Sequence, residues 1–277
     1  TLGGFETFTI EADPVGEELC EPLLVLHGFP SCSYDYRRVL SGLAANRTVL
    51  LLDFVGFGLS EKPDIRYSIE MHADVVMEYI SEIGVGQIAL LTHDMGDSVG
   101  GELLARSSEG RWNIEITRRV VTNGSIYLEL AHLTDGQQLL LSLPDAALES
   151  GPDEAALAGA LAATMAERSL DARSDLNGDA QLICMSRGNA LLPRTIRYIE
   201  DRRRSENRYT GAIESHSSPL AIVWGTEDPI AVTEMAKRLS DKVPDATLDL
   251  LSGVGHYPML EAPELFLSAV GRALAAS

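Results

Sequence analysis

The chain reads as an α/β protein: a mostly parallel central sheet with helices on both faces and an inserted helical lid. Three observations predict this. Short apolar runs alternate with helical stretches over most of the sequence, and alternation of that kind implies parallel strands joined by helical crossovers. One internal stretch, Ile126 to Thr210, breaks the alternation: it is Ala- and Leu-rich, helical in pattern and without a strong strand. Polar residues fit for chemistry stand directly after several apolar runs, at the edge where open α/β sheets gather their sites.

In chain order the predicted strands are Phe5 to Ile10, Leu23 to Leu26, Thr48 to Leu52, Ile88 to Leu91, Arg119 to Thr122, Leu220 to Trp224 and Thr247 to Leu251. Helical patterns separate most of them, Ile69 to Ile83 among them, and Glu264 to Ala275 closes the chain. Residues 1–125 and 211–277 form the expected core, and 126–210 the lid. Pro144, Gly151-Pro152, Asn177-Gly178 and Pro193 cut the lid into short helices. Asp53 to Ser60 leaves the third strand as a Gly-containing loop, with Asp53 expected to hold it by hydrogen bonds rather than to catalyse.

Composition narrows the function. At 277 residues the chain can bury a large core around one domain and an insertion. Its 45% hydrophobic and 23% charged residues are ordinary for a globular protein. The net charge of −19 argues against nucleic acid, whose phosphates are met by Lys and Arg. No apolar stretch is long enough to span a membrane, and no basic-then-apolar leader is seen. Cys20, Cys32 and Cys184 are few and odd in number, so neither a disulfide framework nor a metal cluster is indicated; a cytoplasmic setting is expected. Six arginines between Arg194 and Arg208 stand against Glu200, Asp201 and Glu206. They predict a solvated lid helix laced with ion pairs; the sharper reading is attraction of an anionic substrate or a partner surface.

Gln87 to Gly101 (QIALLTHDMGDSVGG) carries the strongest signal. An apolar run stops at Leu91, and a helical pattern begins just after Asp94-Met95-Gly96. A strand that feeds a helix through a tight turn presents its tip residue as a nucleophile. Here the tip is Asp94. The literal GxSxG string from Gly96 to Gly100 would instead make Ser98 the tip. That requires a strand through His93, Asp94 and Gly96, although Asp and Gly are depleted in strands. Ser98 is therefore placed one turn into the helix.

A nucleophile needs a base, and the base an orienting acid. His256 follows the run Thr247 to Leu251, and Asp228 follows Leu220 to Gly225. The order nucleophile, acid, base fits strand ends of this fold class. His27-Gly28-Phe29-Pro30 follows Leu23 to Leu26. The amides of Phe29 and Met95 are the natural oxyanion donors, with Gly28 permitting close approach.

The set HGFP, DFVGFGLS, HDMG, GTEDP and GHYPMLEAPE resembles the α/β-hydrolase superfamily. More narrowly, it is similar to the epoxide hydrolase and haloalkane dehalogenase group, in which the nucleophile is an Asp. HDMGD and TNGSIY also resemble the mesoderm-specific-transcript type of hydrolase. The resemblance covers about 1–125 and 211–277. It implies an Asp94 alkyl-enzyme ester, hydrolysed by water that His256 activates and Asp228 orients, with no metal or other cofactor. Met95 departs from the group, which usually has Trp there, and removes an expected halide donor. The resemblance therefore implies an epoxide hydrolase that makes a vicinal diol. Epoxide hydrolases use two lid tyrosines as acids. Tyr198 stands where the second is expected; Tyr127, Tyr209 and His132 are candidates for the first. His27, His93 and Tyr127 complete the expected set as substrate contacts. The expected partners are a small hydrophobic epoxide and water, with neither nucleic acid nor membrane; a homodimer is left open. Three alternatives stand beside this: a haloalkane or haloacid dehalogenase with the same triad, a serine esterase through Ser98, and a binding protein on the same scaffold.

Overall fold

The computed structural model describes residues 1–275; 276 and 277, at the end of the expected second core segment, lie outside the described residues. Seven strands form one sheet in the order β1-β3-β2-β4-β5-β6-β7. They are β1 Thr9–Ala12, β2 Leu23–Leu26, β3 Val49–Leu52, β4 Gln87–His93, β5 Glu115–Thr122, β6 Leu220–Gly225 and β7 Thr247–Leu251. Only β1 is antiparallel to its neighbour; every other pairing is parallel. The inner strands β2, β3 and β6 are buried along their whole length, as strands covered on both faces must be.

Three strands differ from the sequence expectation by two residues or more at an end, each for a local reason. The first begins at Thr9, because Phe5 is captured by a turn with Leu2 across Gly3 and Gly4, both at positive φ. β4 runs two residues past its apolar segment, since Thr92 and His93 pair in register with β5. β5 starts four residues early at Glu115. Its charges hid it: Arg119 lies in the sheet with a fully buried side chain. The backbone carbonyls of Ser218, His216 and Ile213 take its guanidinium N–H groups.

The helix Ile69–Ile83 is capped by Ser68, whose hydroxyl accepts from the Met71 amide, and ends at Gly84 in the left-handed region, where glycine carries no Cβ penalty. The segment after β5 contributes no strand among the described residues; it holds short helices and one long one, Tyr198–Ser215. That long helix runs through 210, the expected lid boundary, because it packs on the core helix Met95–Ser108. Gly101 permits the contact: a Cβ there would meet the Tyr209 carbonyl oxygen at 2.7 Å. No helix among the described residues is long and apolar enough to cross a membrane.

Candidate active site

The parallel strands deliver their C-terminal ends to one edge. The neighbours β2 and β4 end in His27-Gly28-Phe29 and Asp94, while β5, β6 and β7 end before Asn123, Asp228 and His256. Asp94 sits between β4 and the helix Met95–Ser108 at φ 49 and ψ −112. A non-glycine residue there carries about 1–3 kcal/mol of strain, and such strain marks a nucleophile-bearing turn. Close packing holds it. A Cβ on Gly28 would meet Asp94 Cβ at 2.7 Å, and one on Gly96 would meet the Leu26 carbonyl oxygen at 2.6 Å.

The Phe29 N–H donates to Asp94 Oδ2 at 2.8 Å. Met95 is the first residue of its helix, so its amide is one of the first-turn donors that the helix leaves unpaired. Oδ2 thus rests on the Phe29 amide, and Oδ1 has no hydrogen-bond partner among the described residues.

His256 Nδ1 lies 2.7 Å from Asp228 Oδ2. The same oxygen accepts from Asn123 Nδ2 at 2.8 Å, and Oδ1 accepts from the amides of Ile230 and Ala231. Both oxygens are therefore oriented. Burial by itself would lower the imidazole's pKa, but the charge of Asp228, its hydrogen bond and the charge of Asp94 outweigh this and raise it to about 9. In the free site the ring is an imidazolium between two carboxylates. Loss of the charge on Asp94 removes one of the causes that hold its proton.

Tyr198, 3% exposed, packs its ring on Phe29, with centroids 5.7 Å apart. Burial first, and then the charge of Asp94, push its hydroxyl's pKa well above the usual phenol range. Ser98 lies inside the helix, with its hydroxyl accepting from Arg202 Nε at 2.8 Å.

Several expected residues are placed otherwise. The Tyr127 hydroxyl donates to Glu214 at 2.8 Å, and Arg238 stacks on its ring, so it does not face Asp94. The Tyr209 hydroxyl donates to Glu70, and His132 is exposed. None of the three is the first lid donor. His27 is not a substrate contact either. Its Nε2 accepts from the Phe54 amide, so Nδ1 carries the proton and donates to the Gly28 carbonyl. Both nitrogens are spent on tying the loop after β2 to the end of β3. His93 Nε2 similarly donates to the His256 carbonyl at 2.8 Å; burial, followed by His256, lowers its pKa to about 4 and keeps it neutral. Its Nδ1 is buried without a partner. Asp53 accepts from the Ser33 and Leu59 amides and shapes the loop after β3.

Two residues were missed. Asn123, at φ 42, bridges Asp228 and the Gly225 amide; the sequence offered only its place at a strand end. Tyr257 lines the cavity beside His256; its adjacency to the base was the only signal.

A cavity of about 490 Å³ opens above the site. Phe29, His256 and Tyr257 line it together with apolar side chains that include Leu140, Leu157 and Leu161. Asp94 is 2% exposed and not among the lining residues. Among the described residues no group of three or more His, Cys, Asp or Glu is placed to hold a metal ion.

Comparison with known proteins shows the family. Residues 23–269 match the model of the alpha/beta hydrolase family. The chain is 36% identical over 255 residues to the protein LipZ of Mycobacterium tuberculosis, covering 89% of this chain and 86% of that one. It is 31% identical over 258 residues to the mesoderm-specific transcript protein of Mus musculus, covering 90% and 77%. Among solved structures, the enol-lactonase from Burkholderia xenovorans superposes with a TM-score of 0.78 at 16% identity, covering 99% and 98% of the two chains. The epoxide hydrolase CorEH superposes with a TM-score of 0.74 at 17% identity, covering 99% and 96%. At such identities the structural likeness speaks to the fold alone.

Proposed function

The chain belongs to the alpha/beta hydrolase family, and from that premise we propose that it is an epoxide hydrolase working through a covalent ester on Asp94. The observation that carries the reading is the turn itself. Its tip is a carboxylate with Oδ2 on the Phe29 amide, opposite a buried His–Asp pair and beneath an apolar cavity.

In the first step Asp94 Oδ1 attacks an epoxide carbon. The carbon–oxygen bond of the ring breaks, its electron pair goes to the epoxide oxygen, and Tyr198 gives that oxygen a proton. In the second, His256 takes a proton from water, and the hydroxide adds to Asp94 Cγ. The Phe29 and Met95 amides hold the oxyanion. Collapse expels an alkoxide, which takes the proton from His256 and leaves as the diol with one Asp94 oxygen, while the Asp94 carboxyl, now holding an oxygen from water, returns its proton to His256. Splitting one displacement into two steps is the gain of covalent catalysis. Once alkylation has removed the Asp94 charge, His256 releases its proton by way of solvent to the Tyr198 phenolate and so becomes the base it must be.

The dehalogenase reading shares these residues, but the Met95 side chain offers no N–H to a leaving halide. The esterase reading needs a free Ser98 hydroxyl, and that hydroxyl is held by Arg202.

The test is to mix His256→Phe protein with styrene oxide and read the modified peptide by mass spectrometry. A mass gain of the whole epoxide on Asp94 is expected. An unmodified Asp94, with halide released from a bromoalkane by the same variant, would replace this reading with the dehalogenase.

A further inference from the structure

The arginine-rich end of the lid is mostly a network of ion pairs, as the chain's −19 charge would suggest. Arg194 meets Asp64 and Asp145, Arg197 meets Glu200, Arg204 meets Asp201, and Arg208 meets Glu102 and Glu109. Arg202 differs from them. It is 2% exposed and makes no salt bridge among the described residues. Its Nε donates to Ser98 Oγ, and its Nη2 faces the Asp94 carbonyl oxygen at 3.4 Å. Nη1 has no hydrogen-bond partner there.

A buried guanidinium without a counter-charge is strongly unfavourable. Asp97 lies near enough to feel it, with burial raising its carboxyl's pKa against that charge, but the two form no ion pair among the described residues. The charge on Asp94 is itself consumed when the ester forms. The Arg202 side chain lines a second cavity of about 90 Å³, with Ser125, Ala131, Gln137, Tyr198 and the exposed Arg203. That space holds a few waters at about 30 Å³ each, or one carboxylate. Gln137 is a wall of both this cavity and the large apolar one, so the two are neighbours.

We propose that Arg202, flanked by Gln137 and Arg203, is a carboxylate subsite, and that the substrate is a 2,3-epoxycarboxylate with an apolar tail. Nη1 and the second N–H of Nη2 suit a carboxylate's paired oxygens. The closeness of Nη2 to Asp94 places the carboxylate beside the carbon under attack, with the tail in the leucine-lined cavity. The inference rests on the reading of Asp94 as the nucleophile of an epoxide hydrolase.

The test begins with unreactive probes. Calorimetry on the wild-type protein compares 3-phenylpropanoate with 3-phenylpropanamide. The carboxylate is expected to bind at least about tenfold tighter, the equivalent of 1.4 kcal/mol. Arg202→Gln should erase the preference, and Arg202→Lys should restore part of it. Ala131→Leu, which fills the small cavity and leaves the charge in place, should erase it too and serves if Arg202→Gln does not fold. Equal binding of the two probes by wild type, or a preference that survives either variant, overturns the subsite. Trapping with His256→Phe separates this from the parent reading. An ester on Asp94 from styrene oxide, but none from 3-phenylglycidate, overturns the subsite and leaves the epoxide reading standing. Carboxylate-selective binding with no ester from either epoxide keeps the subsite and overturns the epoxide reading together with the substrate named here.

Discussion

The backbone N–H of Phe29 donates to Oδ2 of Asp94 across 2.8 Å, linking two residues 65 positions apart. They meet because β2 and β4 are parallel neighbours whose ends rise to one edge. Gly28 allows the approach, since any Cβ there would overlap Asp94. Gly28→Ala should therefore lower kcat/KM by roughly 10²-fold, the scale of losing one oxyanion donor, while the far-ultraviolet circular dichroism stays unchanged. Full activity in that variant would mean that the contact does not serve the reaction.

The His256 imidazole, raised to about 9 by partners that include Asp94, should titrate lower in the ester than in the free enzyme. Single-turnover decay of the ester, followed by rapid quench across pH, gives the first value. The pH dependence of kcat/KM gives the second. Identical values would remove Asp94 from the causes.

Stability carries the same signature. The folded value of about 9 lies above the ordinary 6.5. The contribution is thus fully present below pH 6.5 and is lost as pH rises through about 9. It is on the order of 3 kcal/mol by the pKa difference. Urea unfolding at pH 6 and pH 9.5 should display the drop in wild type and a smaller one in Asp228→Asn.

Tyr198 and Tyr127 are separated by one pair of substitutions. Tyr198→Phe should slow ester formation by roughly 10²-fold or more, the usual range of a positioned acid. Tyr127→Phe should leave that rate unchanged, because its hydroxyl is engaged with Glu214. Stopped-flow alkylation of the two proteins in the His256→Phe background decides the matter.

Asn123→Ala removes one donor to the Asp228 oxygen that also holds His256. A hydrogen bond to a charged group contributes about 1.5–3 kcal/mol, so ester hydrolysis should slow by roughly 10- to 100-fold. Ester formation, which does not need the base, should continue, and a rapid-quench time course would show the ester accumulating. Slowing of both steps alike would point to a general disturbance of the site.

Local pattern determined the alternating core, the sharp turn at Asp94 and the strand-end placement of Asp228 and His256. Such features rest on strand–turn–helix chemistry that a few neighbouring residues carry by themselves. Side-chain destinations were decided by the tertiary structure. His27, His93 and Tyr127 look like free polar groups in the sequence, yet each is claimed by a backbone carbonyl, an amide or a carboxylate that only folding brings near. Arg119 looked like a break in a strand and is a buried strand residue, because distant carbonyls satisfy it. Arg202 looked like one more surface charge and lies buried at Asp94, since its helix docks on Gly101 and turns that side inward. A hydrogen bond or ion pair depends on both partners, and in the sequence the second partner stands dozens of positions away.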